Sequence, residues 1–527
     1  MKSSLRVIRY ALLSVSNKTG ILLLAQNLIK YNIKLLATSG TAEYLLKNGI
    51  SVISISKYID YPEIMNGKIK TLHPKIHGGI LINDNDQENN TNYNFLKIDM
   101  VVINFYPFSD ASKKNYKIKD ILQYIDIGGI ALARSAAKNY ERVTTVVDYN
   151  QYSKIIEEIH KFSGSISIKT RFCLAVIAFH YVYNYDRKIF RYFNQIYIKK
   201  VKHKSPKKNN FPNVISQLFL KREDMRYGEN QHQKSAFYTD FQVNPGTISY
   251  ANQKQGKKLS YNNIIDADIA ISCVMSFKEI ACVIVKHAVP CSVAISDNIT
   301  NAYNLAYASD PSSSFGGIIA FNKPLDMQTA TTIIKYQFSE IIIAPVIEKS
   351  ALSILQSHKN IRVLECGYFS KKSNLEFKKV HSGLLVQDYD NYNLEKKNLN
   401  VVTYKIPSSS EFANALFLWK IIKFVKSNAI VYGKNQKTLG IGSGQSSRIF
   451  AAKVAYYKSQ EQNLDLNHSI MASDGFFPFR DSIDFAAKIG VSCIIQPGGS
   501  VHDAKVIAAA NEHNISMIFT NIRCFRH

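Results

Sequence analysis

Short apolar runs alternate with amphipathic stretches through the first part of the chain. RYALLSVS (9–16), IKLLATSG (33–40), SVISIS (51–56), DMVVINFYPF (99–108) and RVTTVVD (142–148) are rich in uninterrupted apolar residues, as strands covered on both faces are. Between them, TGILLLAQNLIKY (19–31) and TAEYLLKNG (41–49) carry apolar residues at helical spacing. Strand and helix in alternation predict a parallel α/β sheet, whose ligands lie beyond the carboxyl ends of its strands. Those ends read SVSNKTG (14–20), ATSGT (37–41), GKIKTLHP (67–74), NFYP (104–107) and DIGG (126–129). Small, hydroxyl and Gly residues just before a helix leave backbone N–H groups free to meet an anion, and Lys18, Lys68 and Lys70 add positive charge. A phosphate-bearing ligand is the expectation.

Further along, ACVIVKHAVPC (281–291) is an apolar strand that runs into Lys286 and His287. Neighbouring residues of a strand point to opposite faces, so these two side chains converge only if the strand stops there; a turn at Pro290 is predicted to stop it. ASDPSSSFGG (308–317) is echoed by ASDGFFPFRD (472–481), and the polar pair Lys286-His287 is matched with Ser427-Asn428, each read as a strand end. Two similar subdomains facing one cleft are the inference, with a boundary at the Pro-Ser cluster of YKIPSSSEF (404–412).

At 527 residues the chain is too long for one core, and 46% hydrophobic content suits packed globular domains. A net charge of +26 raises the question of nucleic acid, yet the lysines are dispersed apart from KKVKHKSPKKNN (199–210), which reads as a solvated linker. Seven cysteines with no CxxC pair suggest neither a disulfide framework nor a zinc cluster, and no apolar run spans a bilayer. A cytoplasmic protein that binds no membrane, nucleic acid or metal is expected.

MRYGEN, VKHAVPC, SSFGGIIAFN, KSNAIVY, GIGSGQSSR, FFPFRD and the terminal RCFRH, with SVSNKTG, KTLHPKIHGG and DIGG earlier, occur in an order that closely resembles one family. This is the bifunctional purine-biosynthesis family that fuses phosphoribosylaminoimidazolecarboxamide (AICAR) formyltransferase to inosine monophosphate (IMP) cyclohydrolase. The resemblance implies a methylglyoxal-synthase-like domain over 1–198, a lysine-rich linker over 199–212, and two cytidine-deaminase-like α/β subdomains over 213–403 and 404–527. It also implies a homodimer, 10-formyltetrahydrofolate as formyl donor, and AICAR and formyl-AICAR as further substrates.

The chemistry of formyl transfer fits the strand-end pair. The AICAR amine is conjugated with its ring and is a poor nucleophile, so His287 is expected to accept its proton and return it to the folate nitrogen. Lys286 and the Asn428 amide are expected to stabilise the oxyanion. The resemblance further implies that Arg226, Tyr227 and Arg523 hold the nucleotide, with Phe315, Gly316, Glu340, Arg448, Phe476, Phe525 and His527 around them. For ring closure it implies Lys70, Tyr106, Asp126 and Lys138, with Ser14, Ser16, Lys18, Gly40, Thr41, Lys68, Thr71, Asn104 and Gly128 binding the formylated nucleotide. If residues 125–139 formed one straight helix, Asp126 and Lys138 would lie roughly 18 Å apart at 1.5 Å per residue. Asn17, Ser39, Lys68 and Ser292 depart from the family's Asp, Gly, Arg and Gly, and Ser39 matters most if its φ must be positive.

Two other classes fit less well. A zinc nucleobase deaminase needs HxE followed by PCxxC, but Ala288 and Val289 follow His287, and Ala294 stands where Cys291 needs a partner. GIGSGQ (440–445) does not reach the third glycine of a dinucleotide-binding loop.

Overall fold

The protein's structure, a computed structural model, describes residues 5–62, 69–83, 95–108, 110, 117–201, 211, 214–240, 243–368, 375–392, 394 and 396–527. The chain divides into two compact units, Met1–Gln217 and Leu218–His527. The expected linker lies mostly outside the described residues; its first positions, 199–201, end the long helix Ile168–Val201.

In the first unit, all five predicted strands form one parallel sheet in the order Ile53–Ser54, Lys34–Ala37, Tyr10–Val15, Met100–Asn104, Thr144–Val146. The apolar runs are continuous because both faces are covered. Leu13, Ala37 and Val102 pack under one layer with Leu24 and Leu28, while Leu12, Leu36 and Val101 pack under the other with Leu132 and Ala136. Crossovers between parallel strands leave Ser16, Thr38 and Asn104 at the carboxyl end.

The second unit is built on a twelve-stranded sheet that contains one pattern twice. Each copy runs helix, antiparallel hairpin, helix, strand, helix, strand, helix, strand. The first begins with helix Tyr261–Val274 and hairpin Ile280–Lys286/Val289–Ser296; the second with helix Ser409–Ile422 and hairpin Ile430–Lys434/Lys437–Gly442. Both opening helices carry a capping box, on Ser260 and on Ser408. The copies join where Ala294 meets Lys437, in antiparallel pairing. This duplication is what the ASD echo predicted.

The structure corrects the detail of that echo. The turn after Lys286 is not at Pro290, which lies inside strand Val289–Ser296; it consists of His287 and Ala288 alone, with φ of 53° and 59°. The second copy makes the same two-residue turn from Asn435 and Gln436, with φ of 51° and 55°. The counterpart of Lys286-His287 is therefore Lys434-Asn435. Ser427 and Asn428 precede their strand instead of ending it.

Glycines 440 and 442 also have a packing reason. A Cβ on either would come within 2.1 Å or 2.0 Å of the carbonyls of Ala455 and Ala451, so they let helix Arg448–Glu461 lie close on its strand.

Candidate active sites

At the carboxyl end of the first sheet, side chains tie the loops to each other. Asn104 Oδ1 accepts from the backbone N–H of Ser16 at 2.6 Å and of Asn17 at 2.8 Å, and Asn17 Oδ1 accepts from Thr19. Asn17 thus serves as a loop acceptor without a charge. Thr38 Oγ1 donates to Ser14 Oγ at 3.3 Å, and Lys18 Nζ donates to Val15 O and to Thr41 Oγ1. Helices Ile21–Ile29, Ser39–Lys47 and Gly128–Lys138 all begin here and none is capped by its own N-cap side chain; Ile21 N donates to Lys18 O and Gly129 N to Asp126 Oδ1, so it is the positive ends of the helix dipoles that face an anion. Ser39 opens its helix without a positive φ, and the exchange from Gly carries no strain.

Lys70 stands close to both Lys18 and Asp126. Burial, with Lys70 beside it, holds the Lys18 ammonium below its ordinary value. Burial pushes the Asp126 carboxyl up, opposed by N–H bonds from Gly129, at 2.7 Å, and from Tyr106. Thr71 is buried next to this cluster and Tyr106 is exposed. Lys138 is not brought to it. Gly128–Lys138 is one unbroken helix, so Asp126, just before its start, and Lys138, its last residue, have different surroundings. Lys68 lies outside the described residues.

In the second unit, register settles which features share an end of the sheet. Cys282, Ala294, Lys437 and Lys434 sit side by side across the four central strands. From that row Lys286 is four residues onward and Asn428 six residues back, and the strand directions send both to the same end. Three strand spacings, roughly 14 Å, separate them across the sheet.

Each copy supplies a different half of this end. From the first, Lys286 Nζ donates to Phe315 O at 2.9 Å, and Phe315 is 60% exposed beside Gly316, a poor fit to a core aromatic. Asp266 Oδ1 accepts from Ala288 N at 2.6 Å, and His287 stands beside the same carboxylate. Glu340 Oε2 accepts from Asn263 and from Arg362, both at 3.1 Å. The Arg226 guanidinium lies over the Tyr227 ring at 5.4 Å, in the loop whose Glu229 carbonyl is bound by Asn262.

From the second copy, Arg448 is 6% exposed and pairs with fully buried Asp474. Its other nitrogen donates to Asn428 Oδ1 at 2.9 Å, while Asn428 Nδ2 donates to Gln445 O at 3.0 Å. Asp474 also accepts from Ala429 N and Ser427 Oγ, and its carbonyl receives Cys524 N. That last bond begins to fasten the chain's end. Ser427 N donates to Arg526 O, Arg526 N donates to Ser427 Oγ, and Lys378 Nζ reaches His527 O at 3.5 Å. A cavity of about 250 Å³ lies between Arg523, Phe525, Phe476 and Pro497; one of about 410 Å³ lies between Asn428, Arg448, Phe476 and Phe525. Gly475 is where this closes: a Cβ there would sit 2.6 Å from both Arg448 Nη2 and Phe525 Cε1.

Comparison with known proteins places the chain in a family. Residues 136–458 match the family described as AICARFT/IMPCHase bienzyme, and residues 20–131 match the MGS-like domain. The chain belongs to the AICARFT/IMPCHase bienzyme family. It is 60% identical to the bifunctional purine biosynthesis protein PurH of Wigglesworthia glossinidia brevipalpis, over 100% of both chains. Among solved structures, the crystal structure of ForH matches 35% of this chain and 99% of its own at 28% identity, with a TM-score of 0.32. This AICARFT/IMPCHase bienzyme accordingly joins AICAR formyltransferase and IMP cyclohydrolase, the last two steps of purine biosynthesis, and a folate-type formyl donor goes with the first.

Sequence reasoning missed two acids in the bienzyme. Asp266 gives no local signal, being one of two aspartates, with Asp268, on a helix well before the hairpin it holds. Asp474 lies in the ASD echo, and its partner Arg448 in the GIGSGQSSR motif; pairing the two motifs would have found it. Among the described residues, no group of three or more His, Cys, Asp or Glu is arranged to hold a metal ion, and no helix is long and apolar enough to cross a membrane.

Proposed function

We propose that the second unit transfers the formyl group of 10-formyltetrahydrofolate to the 5-amino group of AICAR at the Lys286/Asn428 end of its sheet, and that the first unit closes formyl-AICAR to IMP. The observation that carries the assignment is a contrast between the copies. Asp266 and His287 at this end correspond to Asn414 and Asn435 at the other, and Asp474, which accepts from Ala429 N, corresponds to Asn322, which accepts from Ala281 N. Three ionisable side chains at one end of the repeat, Asp266, His287 and Asp474, are amides at the other.

As the amine nitrogen bonds to the formyl carbon, the carbonyl π pair moves to oxygen and His287 takes the amine proton. Lys286 faces the developing oxyanion. Collapse re-forms the carbonyl, breaks the bond to the folate nitrogen and returns the proton from His287 to it. The Asn428 amide is a second oxyanion donor, Arg226, Tyr227, Arg448 and Arg523 hold the nucleotide, and Phe315, Gly316, Glu340, Phe476, Phe525 and His527 complete the walls. In ring closure, the carboxamide nitrogen attacks the formyl carbon of its own molecule and water leaves, so orientation does most of the work. Lys18, the helix starts, Ser14, Ser16, Gly40, Thr41, Thr71, Asn104 and Gly128 bind the nucleotide, with Lys70, Tyr106 and Asp126 at the reacting groups.

The enzyme acts as a cytoplasmic homodimer. Helix Ile168–Val201 supports the dimer, because Phe172, Val176, Phe179, Tyr183, Phe190 and Phe193 are all exposed along it at heptad-like spacing. His287→Ala tests the central assignment. Formyl transfer should fall by about 10²-fold or more, while cyclisation of supplied formyl-AICAR stays within twofold of the parent. Equal loss of both activities would count against His287 as the proton carrier.

A further inference from the structure

The turn that carries His287 exists twice, and only one version uses a carboxylate. Asn414 is the sixth residue after the Ser408 cap and accepts from Gln436 N at 2.7 Å; Asp266 is the sixth after the Ser260 cap and accepts from Ala288 N at 2.6 Å. An amide therefore suffices to hold this left-handed pair. A carboxylate is the less favourable choice for that task, because burial pushes the Asp266 carboxyl above its ordinary value despite the N–H bonds it accepts. The hairpins share a lysine at the first position, Lys286 or Lys434. They differ at the next, where His287 replaces Asn435. That difference is one a negative charge can serve.

We propose that Asp266 is a positioning residue for formyl transfer, whose charge, beyond its hydrogen bond to the turn, orients His287 and stabilises it while it carries the substrate proton. The inference rests on the reading of His287 as the proton carrier. In the step written above, His287 becomes a cation between leaving the amine and reaching the folate nitrogen. A fixed carboxylate beside it is attracted more strongly to that cation than to the N–H of the neutral ring, so it orients the ring in both states and favours the charged one. The other titratable groups about this turn are Lys286 on the hairpin, Cys291, whose thiol burial pushes up to about 12 and keeps neutral, Asp310 and Lys458 near Cys291, and Glu340 near Asp266. Lys286 opposes a cation on His287, and Glu340 is engaged by Arg362, which leaves Asp266 as the carboxylate bonded to the turn.

The second copy supplies the control. Asp266→Asn in the full chain reproduces Asn414, retaining the acceptor and removing the charge. Expected are a melting temperature at or above the parent's, a cyclisation rate near the parent's, a kcat for formyl transfer reduced about tenfold or more, and little change in KM for AICAR. Asp266→Glu, which keeps the charge, should retain more transfer activity than Asp266→Asn. In a double-mutant cycle, adding Asp266→Asn to His287→Ala should cause no further loss, because the two act through one group. Parental kcat in Asp266→Asn overturns the proposal, as does an undiminished loss in the His287→Ala background, which would show Asp266 acting elsewhere. Parental transfer by His287→Ala alone would instead bring down the reading of His287, and this proposal with it.

Discussion

Burial sets Asp126 and Asp266, the acids of the two proposed sites, apart from surface carboxylates, and at Asp126 it yields a prediction with a sign. The folded state raises the Asp126 carboxyl above its ordinary value, so ionised Asp126 opposes folding. The penalty is absent where both states are protonated, below the unfolded value of about 3.9, and complete above the folded value. Asp126→Asn should therefore raise the melting temperature of the first unit at neutral pH while slowing ring closure. The gain should shrink as the pH is lowered toward the ordinary carboxylate range; a gain independent of pH would mean that packing, not charge, is responsible. At this scale the sequence was informative where residues act at a strand end and silent where they act across space. Lys286 and His287 stand in a strand-end motif, and Lys70 in the loop before helix Pro74–Leu81, whereas Asp266 has meaning only once its helix lies against the hairpin. The turn itself was misplaced because two-residue hairpins are ordinarily signalled by Asn-Gly or Asp-Gly, and His-Ala adopts positive φ here against its preference.

Among the elements, the terminal segment departs most from expectation for its kind. Chain ends fray unless they are fastened, and this one is fastened to the buried Arg448–Asp474 pair through Cys524 and to Ser427 through Arg526. Deleting residues 523–527 should abolish formyl transfer, chiefly by raising KM for AICAR, and leave ring closure intact. Normal transferase activity at low AICAR concentration would refute a binding role for the tail. Elements were easier to read than residues. The five strands of the first sheet were visible because strands buried on both faces leave uninterrupted apolar runs. The straight helix Gly128–Lys138 decided against grouping Lys138 with Asp126, a conflict the 1.5 Å rise had already exposed.

For the whole molecule, the exposed stripe on helix Ile168–Val201 predicts self-association. Val176→Glu combined with Tyr183→Glu should convert the dimer to monomer in sedimentation experiments; an unchanged sedimentation coefficient would move the dimer contact elsewhere. The twelve-stranded sheet has a consequence of another kind. Its copies join antiparallel, at Ala294 and Lys437, so equivalent loops of the two copies emerge at opposite ends. On the proposed assignment, the reactive end takes the hairpin loop of one copy and the strand-start loops of the other, and the remaining loops are left without chemistry. One site then draws on both copies of the repeat, so removing either copy should abolish formyl transfer.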